Sequence, residues 1–396
     1  MANRALSSYV FNVSNFLLLT GAIYYFHWYE ASVSSIDSIS NILLFLILAI
    51  SAFYTFYAAF HYRLPRVFVI ISVMLFVFFI YGIISLLSKN VFVIAHSGHG
   101  IKTGTYFIAV FRSYLPLYAF YVFTRRGYVT KKSMVVWSFI YFFVSLLVLY
   151  LTRMSFLSRL NTTEVTNNVG YLFVMLIPFC TLIRRPLIKY AFLLVNLACI
   201  FISVKRGAIV CGLFAASYIM YFDVKSRESK RKYSRYIIIL AFIAVGFYLL
   251  RDYYSSSALF QKRLELTLEG NSSGRFGLLD EFSTFFLKET SFFQIIFGSG
   301  ADATLRIGQN YAHNDWCELL IDQGLFGLTI YFLLWLELFK LWRKSKTLNE
   351  VYILLGCCLL ILFLKTLFSM SYSMIVFPIS MCLGYCFAEI SMHSIQ

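Results

Sequence analysis

Charge is scarce in this sequence: only 13% of its 396 residues are Asp, Glu, Lys or Arg, against about 25% in ordinary soluble domains. Acids are scarcer than bases, with 18 Asp and Glu facing 34 Lys and Arg, for a formal charge of +16. There are 5 prolines and 6 histidines. No Asp-x-Asp metal pair, phosphate-cradling glycine loop or Gly-x-Ser-x-Gly elbow occurs, which argues against a nucleotide-sugar or ATP-driven reaction. The eight cysteines form no zinc spacing and no disulfide framework, and all but Cys317 fall in apolar runs, where they read as small packing residues. Alternating apolar and polar strands are also missing, which excludes a membrane barrel.

What fills the chain is apolar and aromatic, at 60% and 19%. Runs long enough to cross a hydrocarbon core of about 30 Å recur throughout, and backbone in lipid must satisfy itself as helix. The expected fold is therefore all-α, a polytopic membrane helix bundle. Its twelve expected spans are 6–26, 40–60, 67–88, 104–123, 133–151, 168–183, 187–203, 208–222, 235–251, 325–341, 350–367 and 371–391. The first is read as a retained helix and not a cleaved signal, because more spans follow it.

The positive charge is a topology signal. Arg4 and the connections "HYRLPR", "TRRGYVTKK", "IRRPLIK", "DVKSRESKRKYSR" and "KLWRKSK" hold 20 of the 34 Lys and Arg, and they alternate along the chain. The positive-inside rule places them and both termini in the cytoplasm. Nucleic acid is not an expected partner; the lipid bilayer is, with anionic headgroups a weaker attraction for the same charges.

Three parts follow: nine spans in 1–251, an outward loop at 252–324, and three spans in 325–396. The loop carries ten of the 18 acids and is too long for a simple connector. Within it "LDEFSTFFLKET" has helical spacing, "FGSGAD" is turn material, and "NDWCELLIDQG" reads as a short helix closed by Gly324. Together they predict a small helical cap. Sequons at Asn161 and Asn271 carry no weight.

Ionisable residues inside a membrane are functional candidates. Arg112, Arg206, Arg251 and Lys365 lie in the outward halves of spans, and Arg275 adds a fifth cation from the loop. For Arg251 and Lys365, snorkelling to the interface is a competing reading. Arg112 is too deep for that, and an anionic ligand such as pyrophosphate suits several guanidinium forks. "HSGH" at 96–99 lacks acidic or cysteine partners for a metal. His313 differs: it opens a short helix in the acid-rich loop directly before a span, and an imidazole suits a base near neutral pH. Asn310 and Asn314 read either as substrate ligands or as helix caps. Asp315, Glu318 and Asp322 read as water-facing acids that favour the helix N-terminus.

Three stretches, "SVKRGAIV", "SSGRFGLLDEF" and "FGSGADATLRIGQNYAHNDWCELLIDQGLFGLTIY", together resemble the bacterial O-antigen ligase and polymerase superfamily of integral membrane glycosyltransferases. "NNVGYLFVMLIPF" at 167 is similar too, with less specificity. The motifs span about residues 200–335, and the resemblance implies a GT-C-like helical fold in the bacterial inner membrane. It implies an undecaprenyl-pyrophosphate-linked glycan donor and a glycan acceptor, with no metal, cofactor or nucleotide sugar. A chain-length-regulating co-polymerase is a further expected partner. Arg206, Arg275 and His313 then match the family's essential arginines and histidine; Lys205 stands where many relatives have Ser or Thr. Arg112, Arg251, Lys205, Lys365, Asn310 and Asn314 are expected to bind substrate. Polymerisation of repeat units is the favoured reaction, ligation to lipid A core the alternative. A lipid-linked oligosaccharide flippase fits the span count and the intramembrane cations as well, but its charges would more often lie near the midplane and across two related halves, whereas here the polar chemistry is loaded on one face.

Overall fold

In the computed structural model, the described residues are 12–31, 38–88, 91–93, 100–102, 106–157, 168–225, scattered positions in 237–265, 275–308, 310–373 and 377–393. They form a helical bundle. Its helices are α1 (Val13–Ala31), α2 (Ser38–His61), α3 (Arg66–Leu87), α4 (Tyr106–Arg125), α5 (Lys131–Leu157), α6 (Val169–Val174), α7 (Pro186–Ile202), α8 (Arg206–Lys225), α9 (Arg275–Lys288), α10 (Phe292–Phe297), α11 (Ala303–Ile307), α12 (Asp315–Lys344), α13 (Asn349–Phe368) and α14 (Phe377–His393). Between α3 and α4 a three-residue antiparallel pair, β1 (Val91–Val93) and β2 (Gly100–Lys102), closes a loop. "HSGH" lies outside the described residues, as do both sequons and most of the expected span 235–251.

Among the described residues seven helices are long and apolar enough to cross a membrane, and several shorter apolar helices join them. Helix α4 is the hub, packed against α1, α2, α3 and α14. It meets α14 closely because Gly384 has no side chain: a Cβ there would lie 2.6 Å from Phe120 Cβ and 2.9 Å from the Tyr121 amide. Small residues that let backbones approach are the usual device for helix association in lipid. Seven cysteines are buried and Cys317 is partly buried, all as free thiols.

Three expected spans differ in detail. The sixth is not one helix: α6 stops at Val174 and a 3₁₀ helix takes over at Ile177–Leu182, with Pro178 in its first turn. Proline cannot supply the next backbone donor, and the break is tolerated because nearly every residue from Val169 to Leu182 is buried in protein. In the twelfth, residues 371–373 are turn and not helix, and the amides of Ser371 and Tyr372 donate to the carboxylate of Asp315. The tenth is preceded by a helix folded back on it.

That fold-back decides the shape of the site. Within α12 Gly324 has φ 66° and ψ −162°, so the chain breaks into a short helix, 315–323, and a long one, 325–344. Tyr331 donates to Asp315 Oδ2 at 2.6 Å although the two are 16 residues apart; in a straight helix they would be separated by about 24 Å. The pieces therefore form a hairpin with Gly324 at its apex. The short arm does not lie over the bundle as a cap. It dips in beside Tyr331.

Two glycines make the apex possible. Gly298 and Gly324 both have positive φ, and a Cβ on Gly324 would lie 2.5 Å from the Gly298 nitrogen and the Ile296 carbonyl. The amides of Ser299 and Gly300 then donate to the carbonyls of Ile321 and Asp322, at 2.8 and 3.0 Å. These are the carbonyls the short arm loses when it ends, and the 298–300 turn is its C-terminal cap.

Candidate functional site

The hairpin carries His313 into the bundle. His313 itself has φ 53°, in the left-handed region, a conformation that costs a non-glycine residue about 1 kcal/mol or more and needs external support. Support comes from both sides. The Ala312 amide donates to Glu318 Oε2 at 2.8 Å. Asn314 Oδ1 accepts from the amides of Trp316 and Cys317, at 3.0 and 3.1 Å, as the N-cap of the short arm. His313 is partly buried between these fixed neighbours.

The sequence reading placed Asp315, Glu318 and Asp322 in water; all three are fully buried. Their spacing of three and four residues puts them on one helical face, and that face is turned inward. Glu318 Oε1 accepts from the Thr304 hydroxyl at 2.8 Å, so one carboxylate ties α11 to the loop before His313. Asp322 Oδ1 faces the Thr304 amide at 3.4 Å. Gln323 Nε2 donates to the Tyr106 hydroxyl at 3.1 Å, joining the arm to the start of α4. Asp315 accepts from Tyr331, from the Ser371 amide at 2.7 Å and from the Tyr372 amide at 3.0 Å. Except for Asp322 Oδ2, which has no hydrogen-bond partner, these carboxylate oxygens hold backbone or hydroxyl donors, the condition for burying such groups.

Asp302, the N-cap of α11, is a fourth inward acid with φ 52°. Burial pushes its carboxyl up to about 7, against the opposing pull of Arg306.

Cations converge on the same place. Lys365, near the end of α13, is 2% exposed and interacts electrostatically with Asp315, Arg112 and Cys211. Its ammonium also sits 5.5 Å from the centre of the Tyr171 ring. A buried lysine among these groups is held inside the protein, which disposes of the snorkelling reading for Lys365. Arg112 donates to the Tyr24 hydroxyl at 2.8 Å. Arg206 opens α8, and its helix brings Cys211 to Lys365. Lys205 and Arg206 are both partly buried. Val204 just before them has φ 54°, unusual for a β-branched residue. All the positive-φ non-glycine residues among those described, Val204, Asp302 and His313, therefore belong to this region, where backbone strain tends to collect at functional sites.

Arg251 is exposed. Asn310 turns its side-chain oxygen to the adjacent amide of Tyr311, at 2.9 Å, and Asn314 is committed to the cap. Arg275 opens α9, but its side chain lies outside the described residues. Below Asp315 an apolar crevice runs between helices, lined by Tyr114, Leu117, Tyr331, Trp335, Leu362 and Phe387 among others. Among the described residues no three His, Cys, Asp or Glu are grouped to hold a metal ion.

The charges at the other end of the bundle are arranged differently. There Lys131 pairs with Glu350 at 2.5 Å and Lys189 with Asp223 at 2.9 Å, while Arg125 and Arg126 lie over the rings of Tyr62 and Tyr57. The converging cations and buried acids belong to the end that carries α9 to α11.

Residues 191–332, from within α7 into the long arm of the hairpin, match the family model described as O-antigen ligase. This segment belongs to the O-antigen polymerase and ligase superfamily. The match covers Lys205, Arg206, Arg275, His313, the short arm and apex of the hairpin, and the first part of its long arm. The match implies an enzyme of the kind that transfers glycan chains, and the apolar helices make the chain a multi-pass membrane protein. A comparison with curated proteins finds no match.

The sequence reading missed the carboxyl frame of Asp302, Asp315, Glu318 and Asp322. The signal was present as acids at 315, 318 and 322, a helical stripe in step with the apolar residues around it.

Proposed function

We propose that this protein polymerises glycan repeat units carried on undecaprenyl pyrophosphate, at the outer face of the bacterial inner membrane. One observation carries the proposal: the hairpin at Gly324 places the His313–Asp315 turn inside the bundle, and Asp315 interacts there with Lys365. A base candidate and converging cations suit a substrate with a reactive sugar and a pyrophosphate.

In this reading an acceptor hydroxyl of one lipid-linked unit attacks the anomeric carbon of another. The new carbon–oxygen bond forms as the bond to the pyrophosphate oxygen breaks. His313 takes the hydroxyl proton, and the undecaprenyl pyrophosphate leaves with the bonding electrons. Arg206 and Arg275 stabilise the leaving charge, with Arg112 and Lys365 beside them. Arg251, Lys205, Asn310 and Asn314 remain candidates for holding the rest of the substrate, Asn314 through the turn it caps.

The description of the matching family as O-antigen ligase favours a second reading, transfer of finished glycan to lipid A core. Glycan phenotypes of a deletion separate the readings. Single-unit chains on the core indicate a polymerase, and full-length glycan left off the core indicates a ligase. Units trapped inside the cell indicate a flippase and overturn both. In vitro, purified protein in vesicles with lipid-linked units should yield a ladder of products; a single product with core acceptor supports ligation instead.

A further inference from the structure

The cap carries an apolar ridge that the proposed chemistry does not use. On α9 and α10, Leu287 is 80% exposed, Phe292 70% and Phe293 72%, and Phe297 is also exposed. Exposed aromatic clusters of this kind mark an interaction surface.

The place of the ridge identifies what covers it. Helix α10 packs against α12 at the apex of the hairpin. Its Phe297 ring lies 6.1 Å from that of Phe326, and its Phe297 carbonyl accepts from the Tyr81 hydroxyl near the end of α3. Phe326 and Leu325 are the first outward apolar residues of the long arm, and Phe332, Leu333, Leu336 and Phe339 continue that exposed face along a membrane-length helix. The ridge therefore adjoins the exposed apolar face of this membrane-length helix at the end next to Gly324. Lys288 and Glu289, between Leu287 and Phe292 in the chain, are exposed, and aromatic side chains at this level suit a membrane interface.

We propose that Leu287, Phe292 and Phe293 insert into the lipid leaflet next to the cap and fix the cap on the membrane surface. The same anchor braces the site. Helix α10 runs directly into the 298–300 turn that caps the short arm, and α11 follows, where Thr304 meets Glu318. A cap seated in lipid holds the His313 turn at a set depth relative to lipid headgroups. The anchor does not depend on which reaction the site performs.

The test uses the full chain in phosphatidylcholine nanodiscs, with Phe293→Trp on the ridge and Glu281→Trp at an exposed charged position of α9. Emission of the added tryptophan is taken as the difference from wild type. Phosphatidylcholine brominated in the upper acyl chain should quench the Phe293→Trp signal by about twofold or more, and acrylamide should quench it little, as expected for a side chain in the headgroup and acyl boundary. Glu281→Trp should show the reverse. Acrylamide quenching at both positions overturns the proposal, as does bromine quenching at both. A tryptophan at 293 shielded from both quenchers also overturns it, by showing that protein covers the ridge. Leu287→Trp, at the other end of the ridge, repeats the measurement should Phe293→Trp fail to accumulate.

Discussion

Replacing Glu318 by alanine should release the turn that presents His313, and the cost can be worked from two hydrogen bonds. Glu318 accepts from the Thr304 hydroxyl and from the Ala312 amide, both at 2.8 Å, with no exposure to water. The alanine variant leaves both donors buried without their partner. The hydroxyl can rotate to another acceptor, but the amide cannot, and an unsatisfied buried donor costs about 1–3 kcal/mol. At the middle of that range, opening of the 310–314 backbone becomes about 30-fold more frequent, since each 1.4 kcal/mol is tenfold in an equilibrium. Glu318→Gln differs sharply, because its carbonyl still accepts from Ala312 and its amide donates to the Thr304 oxygen. Hydrogen exchange on the full chain in detergent reads the effect without any substrate. Peptides covering 310–314 should exchange about 30-fold faster in the alanine variant, and within about threefold of wild type in the glutamine variant. Unchanged protection in Glu318→Ala would refute the claim that this carboxyl holds the turn.

Three further outcomes follow from the same geometry. Gly324→Ala forces a Cβ to 2.5 Å from the Gly298 nitrogen at φ 66°, so thermal stability in detergent should fall by about 2 kcal/mol or more; a neutral result would mean the apex opens freely. The Asp302 carboxyl, raised to about 7 in the folded chain by burial, binds a proton the unfolded chain gives up near pH 4. Stability from this group is therefore fully present at low pH and falls as pH rises towards 7, by up to about 1.4 kcal/mol per pH unit. Asp302→Asn should flatten that slope in melting curves taken between those limits. Lys365→Met should cost about 2 kcal/mol or more by leaving Asp315 without its buried counter-charge, and adding Asp315→Asn should recover part of the loss. Strict additivity of the two melting shifts would show that the groups are not coupled.

The bundle was legible because apolar runs of membrane length admit only helices. The break at Gly324 was legible too, since glycine closing "NDWCELLIDQG" before a span reads as a stop. What the sequence could not convey was the direction taken after the stop. Gly324 and Gly298 are separated by 25 intervening residues, and only their mutual contact shows that the short arm folds back beside Tyr331. The acids of the arm were misplaced for the same reason: with the arm over the surface they face water, with the arm tucked in they are buried. The sixth span was overextended because apolar composition hides the break at Pro178. His313 stands out in the sequence as a candidate by its scarcity and position, whereas the residue that holds its turn, Glu318, is recognisable only by the two donors it meets.

The central claim is that the tucked His313 turn performs glycan transfer. The most direct measurement is the product ladder from reconstituted vesicles, comparing wild type with His313→Ala at matched amounts of folded protein. The account predicts a ladder from wild type and at least about a hundredfold less elongation from the variant, the scale of a lost general base. A normal ladder from His313→Ala would contradict it.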